Sequence, residues 1–345
     1  MVKKTVKSLL LHTMLLNTYK QNSLTAQTIT ALIFITLCLS MFYPLNSSVR
    51  ATATNPTPLS TWLLNAINSW SFSAGGTIIS CLLVGVEAII VVIINERFEL
   101  CNTKFSLFAT VYFLTSLSYA PFATFLPQQL TNIFIGLGIY KIFSTYGWDD
   151  AGYKAFDAGL LFGIALLFSF NILAIYVLGL VSLLIFRPYK AREATLLTLG
   201  AVTPIIFYFA VHYIISQSYC EITDYLAQWF KYHKKIEINN HDYIYIISTG
   251  FFGVAAFFSV LAQRNKMNVL GSKAFLIFIF MQIFTTISVL FVPFIETADL
   301  KLNTIPTTFM LVAMFCNMRK GWVSELFFLI FLLTFYALPL LWIIG

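Results

Sequence analysis

Charged side chains are scarce within the apolar stretches of this chain, and the few present are its first candidates for chemistry. An ionisable group at membrane depth is costly, so each one marks a functional hypothesis. Glu87 is the sharpest. It lies in Gly85-Val86-Glu87-Ala88-Ile89-Ile90, with no charge for eight residues on either side. A carboxyl in such surroundings must be held neutral or paired. It can carry a proton, contact a ligand or answer a buried cation; equally, it can be a hydrogen-bonded joint between helices. Asp157, in Lys154-Ala155-Phe156-Asp157-Ala158-Gly159, opens an apolar run, where the helix dipole favours an acid. His212 falls one turn after Tyr208, near the end of another run. Glu87, Asp157 and His212 are the intramembrane candidates. Glu325, two residues after Val323 and close to the inner interface, reads as an ordinary interfacial acid.

Other constellations point less far. His212, His233, His241, Asp224 and Asp242 fall near one side, but their spacing fits no standard ligand pattern, so no metal is expected. Asp149 and Asp150 adjoin Trp148 in a loop, where paired acids are usually solvated. Arg187-Pro188-Tyr189-Lys190-Ala191-Arg192-Glu193 is a compact basic segment. Arg187, Lys190 and Arg192 either anchor orientation or contact lipid phosphates. The chain has no Walker loop, GxSxG, HExxH or usable GxGxxG, which leaves an ATP-driven pump, a serine hydrolase and a dinucleotide enzyme without support, and no cofactor is expected. The cysteines Cys38, Cys81, Cys101, Cys220 and Cys316 stand apart in sequence and read as small apolar residues.

The elements that must position these residues follow from composition. Of 345 residues, 59% are hydrophobic and 10% charged, against about 25% charged in a soluble domain. The excess of 35 Phe suits lipid-facing helix surfaces. A span needs about 20 mainly apolar residues. Runs near 24–45, 73–95, 105–124, 128–147, 155–170, 171–186, 195–215, 243–263, 274–294, 305–318 and 323–344 predict about eleven spans. The expected fold is an all-α polytopic bundle: a surface helix over 1–20, then one transmembrane domain over 21–345 with outer loops about 46–72 and 216–242.

The basic residues test that count. With the N-terminus inside, 16 of the 21 Lys and Arg fall on inner segments and 5 on outer ones: Arg50, Lys231, Lys234, Lys235 and Lys301. Positive charge collects on the cytoplasmic side of membrane proteins, so this bias predicts a cytoplasmic N-terminus and an outer C-terminus. It also accounts for the net charge of +7 without nucleic acid. The stretch 155–186 is too short for two full crossings, yet one helix would reverse every later loop. A hairpin of two short helices meeting near Ser169-Phe170-Asn171 is therefore expected, and short helices at membrane depth need protein or water beside them. Pro58–Trp70 and Cys220–His233 read as amphipathic helices on the outer surface.

Two resemblances appear. Glu87-Ala88-Ile89-Ile90 through Leu100, then Gln128–Phe143, Phe156–Phe168 and Leu183–Glu193, resemble an uncharacterised family of multi-spanning inner-membrane proteins of the Bacteroidota, which implies a bacterial inner-membrane location. More weakly, Asp157–Lys190 is similar to the AGLLLGLA hairpin of the GT-C superfamily, polytopic glycosyltransferases that use polyprenyl-phosphate sugars. That resemblance implies a polyprenyl-phosphate lipid partner and an outer acid as base. Such enzymes carry the acid in the first outer loop, but residues 46–71 of this chain contain no Asp or Glu. Glu221, Asp224 and Asp242, in later segments, are the remaining catalytic candidates. Three functions stay open: a membrane subunit of a cell-envelope complex on a GT-C-like scaffold, with membrane-protein partners; an active glycosyltransferase; and a lipid or small-solute transporter or flippase with Glu87 as coupling residue.

Overall fold

A backbone in hydrocarbon has no water to bond, so long apolar runs fold as helices that satisfy their own N–H and C=O groups. The computed structural model describes residues 15–42, 59, 63, 75–101, 103, 105–119, 126–168, 172–187, 190–216, 240–264, 267–291, 297–318 and 321–344. Among these residues every regular element is helical. In chain order they are α1 (Leu15–Lys20), α2 (Leu24–Phe42), α3 (Gly75–Phe98), α4 (Phe105–Leu117), α5 (Leu126–Phe143), α6 (Gly152–Phe168), α7 (Ile172–Phe186), α8 (Ala191–Ser216), α9 (Asn240–Gln263) and α10 (Val269–Phe291). A 3₁₀ helix, Thr297–Asn303, then leads into α11 (Thr304–Asn317) and α12 (Gly321–Ile344).

Among the described residues six helices are long and apolar enough to cross a membrane, over Leu24–Phe42, Gly76–Phe98, Ala191–Ile214, Tyr243–Gln263, Val269–Thr286 and Trp322–Leu340. The other expected spans form shorter helices. α4 has 13 residues and α11 has 14, about 20 Å each at 1.5 Å per residue and short of a hydrocarbon core of about 30 Å. Both are sheathed by protein: Ser106–Leu117 and Thr304–Phe315 are buried throughout. A helix that is apolar all round belongs inside. α11 packs against α4, α9, α10 and the 3₁₀ helix, and the longer helices stand outside it.

Residues 155–186 do form two helices, α6 and α7, which contact each other. Their turn at Ser169-Phe170-Asn171, and most of the outer segments 46–72 and 216–242, lie outside the described residues. The hairpin's tightest partner is α8. A Cβ on Gly159 would stand 2.0 Å from the Leu197 carbonyl oxygen, one on Gly163 2.2 Å from that of Ala201, and one on Gly200 2.3 Å from that of Phe156. Three glycines thus let the α6 and α8 backbones touch, the small-residue contact that substitutes for a hydrophobic driving force in lipid.

One expectation changes here. Among the described residues phenylalanine is as much a core residue as a lipid-facing one. Phe278 and Phe309 stack at 4.2 Å, Phe108 meets Phe309 edge-on at 5.2 Å, and Phe143, Phe275, Phe315, Phe328 and Phe331 are all buried. Helix association in lipid rests on close contact, which broad rings supply. The described part of the expected surface helix, α1, packs one face against the bundle. Tyr19 is fully buried with its ring 5.5 Å from that of Phe328, and the Leu16 N–H donates to Glu325 at 3.0 Å.

Candidate functional site

Helix α3 sorts its residues cleanly. Ser80, Val84, Glu87, Val91 and Asn95 are buried, while Leu82, Val86, Ile89 and Ile93 are exposed to the surroundings. The buried set recurs every three or four residues, which defines one helical face. Glu87 sits halfway along that face, 2% exposed. Its side chain therefore points into the bundle.

Three other elements meet it there. From α4, the Tyr112 hydroxyl donates to Glu87 Oε2 at 2.7 Å. From the 3₁₀ helix, Lys301 Nζ lies 3.9 Å from the same oxygen, and the two side chains are 0% and 1% exposed. From α5, the Asn132 amide donates to the Lys301 carbonyl at 3.0 Å, and Gln129 donates to Ser80 of α3. Thr304 donates to the Lys301 carbonyl at 2.7 Å, and Thr115 and Thr308 stand 3.4 Å apart across α4 and α11. Glu87 Oε1 has no hydrogen-bond partner among the described residues. A carboxyl, an amine and a phenol thus lie together inside the bundle, beside the middle of α3.

Lys301 corrects the sequence reading. Its position between two apolar runs put it with the outer loops. The 3₁₀ helix instead enters the bundle and carries it to the level of Glu87. The physical reason is pairing: each buried charge is tolerable only beside the other. Lys301, Tyr112, Gln129 and Asn132 were all missed. The available signal was polar spacing inside apolar helices, Gln129 and Asn132 in α5 and Thr304, Thr307 and Thr308 in α11, one turn apart.

Comparison with known protein families, curated proteins and solved structures returns no match.

The remaining candidates among the described residues do not join this centre. Asp157 pairs with Lys141 at 2.8 Å, both about half exposed. His212 is half-buried on α8, its ring 6.1 Å from that of Tyr208. Arg187 turns inward. It pairs with Glu193 at 2.7 Å and donates to the carbonyls of Thr145, Trp148 and Asp149, so its guanidinium closes the loop before α6. Lys190 and Arg192 stay exposed; Lys190 donates to the Asp149 carbonyl and Arg192 stands 3.4 Å from Asp150. The Gly152 N–H and then Arg192 hold the Asp150 carboxyl below its usual range. Glu221 and Asp224, and the side chain of Asp242, lie outside the described residues. Among the described residues no three His, Cys, Asp or Glu side chains gather as a metal site. The thiols of Cys38, Cys81, Cys101 and Cys316 are free.

Proposed function

We propose that this chain is a carrier of the bacterial inner membrane, moving a lipid or small solute with Glu87 as its coupling residue. One observation carries the reading: the buried Glu87–Lys301 pair is joined to Tyr112 where the 3₁₀ helix passes into α11. A carboxyl–ammonium pair can exist charged or, after proton transfer, neutral, and the two forms differ in what they cost to bury. Secondary carriers build their sites at irregular points in helices, and a change from 3₁₀ to α geometry is one such irregularity.

The proposed topology has about eleven passes with the N-terminus inside. It is supported by one set of helix ends. Lys20 donates to the Cys316 carbonyl, Lys154 to that of Ser144, Arg264 to Ser272, and Lys273 lies 5.7 Å from the Tyr146 ring. These contacts gather basic residues from α1, α6, α9 and α10 at one end of the bundle, the cytoplasmic end under the positive-inside rule.

The test is proton movement in sealed vesicles containing the native membrane's total lipid extract, so that a lipid substrate is present. Wild-type protein should dissipate an imposed pH gradient about tenfold faster than Glu87→Gln. The Glu87→Gln/Lys301→Met double variant, which removes both charges, should fold and be equally inactive. Equal rates for wild type, both variants and protein-free vesicles reject the carrier reading.

The membrane-subunit reading has its own observation. The α6–α8 contact is filled to the backbone, as a rigid scaffold requires. Co-purification of a stable partner, with no Glu87-dependent proton movement, would favour it.

A further inference from the structure

α9 and α10 are consecutive in the chain yet barely touch. Between them lies a cavity of about 380 Å³, floored by the 3₁₀ helix. That volume is within the range of small-molecule sites. α9 creates the space through two small residues. A Cβ on Gly250 would meet nothing within 4 Å, and one on Gly253 would meet only the Gln282 amide nitrogen, at 3.5 Å. Val254 and Ile283, at the rim, are 56% and 39% exposed among apolar neighbours, so the mouth opens toward hydrocarbon.

The lining chemistry narrows the occupant. Among the described residues none of the lining side chains is charged. A phosphate or carboxylate head would enter without a counter-charge, at high cost. The polar groups are amides and hydroxyls. The Asn303 carboxamide oxygen accepts from Thr285 at 2.8 Å, and that of Gln282 accepts from Thr307 at 2.9 Å. Each hydroxyl carries one proton and also faces a backbone carbonyl, Thr285 that of Met281 at 2.8 Å and Thr307 that of Asn303 at 2.6 Å, so the two carboxamides keep both donor and acceptor capacity for the cavity. They suit a neutral carbonyl or hydroxyl at the end of an apolar chain.

We infer that the gap between α9 and α10 is a binding site for a neutral, hydrocarbon-chained lipid whose carbonyl or hydroxyl head is held by Gln282 and Asn303. Asn303 is two residues from Lys301 on the same 3₁₀ helix. The site would be the substrate end of the proposed carrier, and in that role it rests on the carrier reading; binding by itself does not.

Photolabelling of the purified full chain in lipid nanodiscs tests it. Three diazirine probes are compared: a prenylated quinone, a diacylglycerol and, as charged control, a phosphatidic acid. A neutral probe should label the peptides around Val254 and Ile283 about tenfold more than phosphatidic acid does. Which neutral probe labels them identifies the source of the head group. Gly250→Leu, which grows into open space, should remove the label while melting and elution stay as in wild type. Gln282→Leu should weaken it. The Glu87→Gln/Lys301→Met variant should keep it. The inference fails if Gly250→Leu leaves labelling unchanged, if phosphatidic acid labels equally, or if label spreads evenly over the lipid-facing helices. Labelling without Glu87-dependent proton movement keeps the site and removes the carrier; the converse keeps the carrier and removes the site.

Discussion

A charge inside a bundle is stable only in company, and Glu87 has two companions, Tyr112 and Lys301. Breaking such a pair from one side strands the other charge and costs about 3–5 kcal/mol, whereas replacing both by apolar groups is often neutral. Lys301→Met alone should therefore lower the melting midpoint in detergent markedly. Adding Glu87→Gln should restore most of it. If the single and double variants melt alike, the two groups do not act as a pair. Glu87 was legible as a candidate because it interrupts an apolar run. Its partners were not, because Lys301 is 214 residues away (301 − 87) and looks like a loop residue until the chain is folded.

At the scale of elements, the α6–α7 hairpin was predictable from length and charge together, since 32 residues between Lys154 and Arg187 cannot cross twice as full spans nor once without reversing the loops. What it packs against was not. What the glycines of α6 meet is set by the approach of α8. Gly159→Leu should separate the two helices, because its Cβ would stand 2.0 Å from backbone and no side-chain rotation relieves that. Overpacking of a well-filled core costs about 1–3 kcal/mol, and a backbone clash lies at the upper end or beyond. Heating in detergent followed by size-exclusion chromatography should show loss of the monodisperse peak well below the wild-type temperature. Gly85→Leu, whose Cβ meets nothing within 4 Å, should be close to neutral.

For the whole molecule, the basic residues predict which end faces the cytoplasm. Tyr153, 91% exposed beside Lys154, reports on that end. In a cysteine-free background, Tyr153→Cys should resist a membrane-impermeant maleimide in intact cells and react after permeabilisation. Labelling in intact cells would reverse the orientation and, with it, the side from which the 3₁₀ helix enters.

The sequence by itself determined the class. Hydropathy and the rarity of charge leave an all-helical membrane chain, because in hydrocarbon the backbone has no other way to satisfy its hydrogen bonds among packed segments of this length. It also singled out Glu87. Tertiary structure decided the rest: that α4 and α11 are short helices buried within the bundle, that many of the phenylalanines build the core, that Arg187 closes a loop, and that Lys301 lies beside Glu87. These are long-range pairings. Local pattern fixes which face of a helix is polar, but only the packing of helices distant in sequence fixes what that face meets.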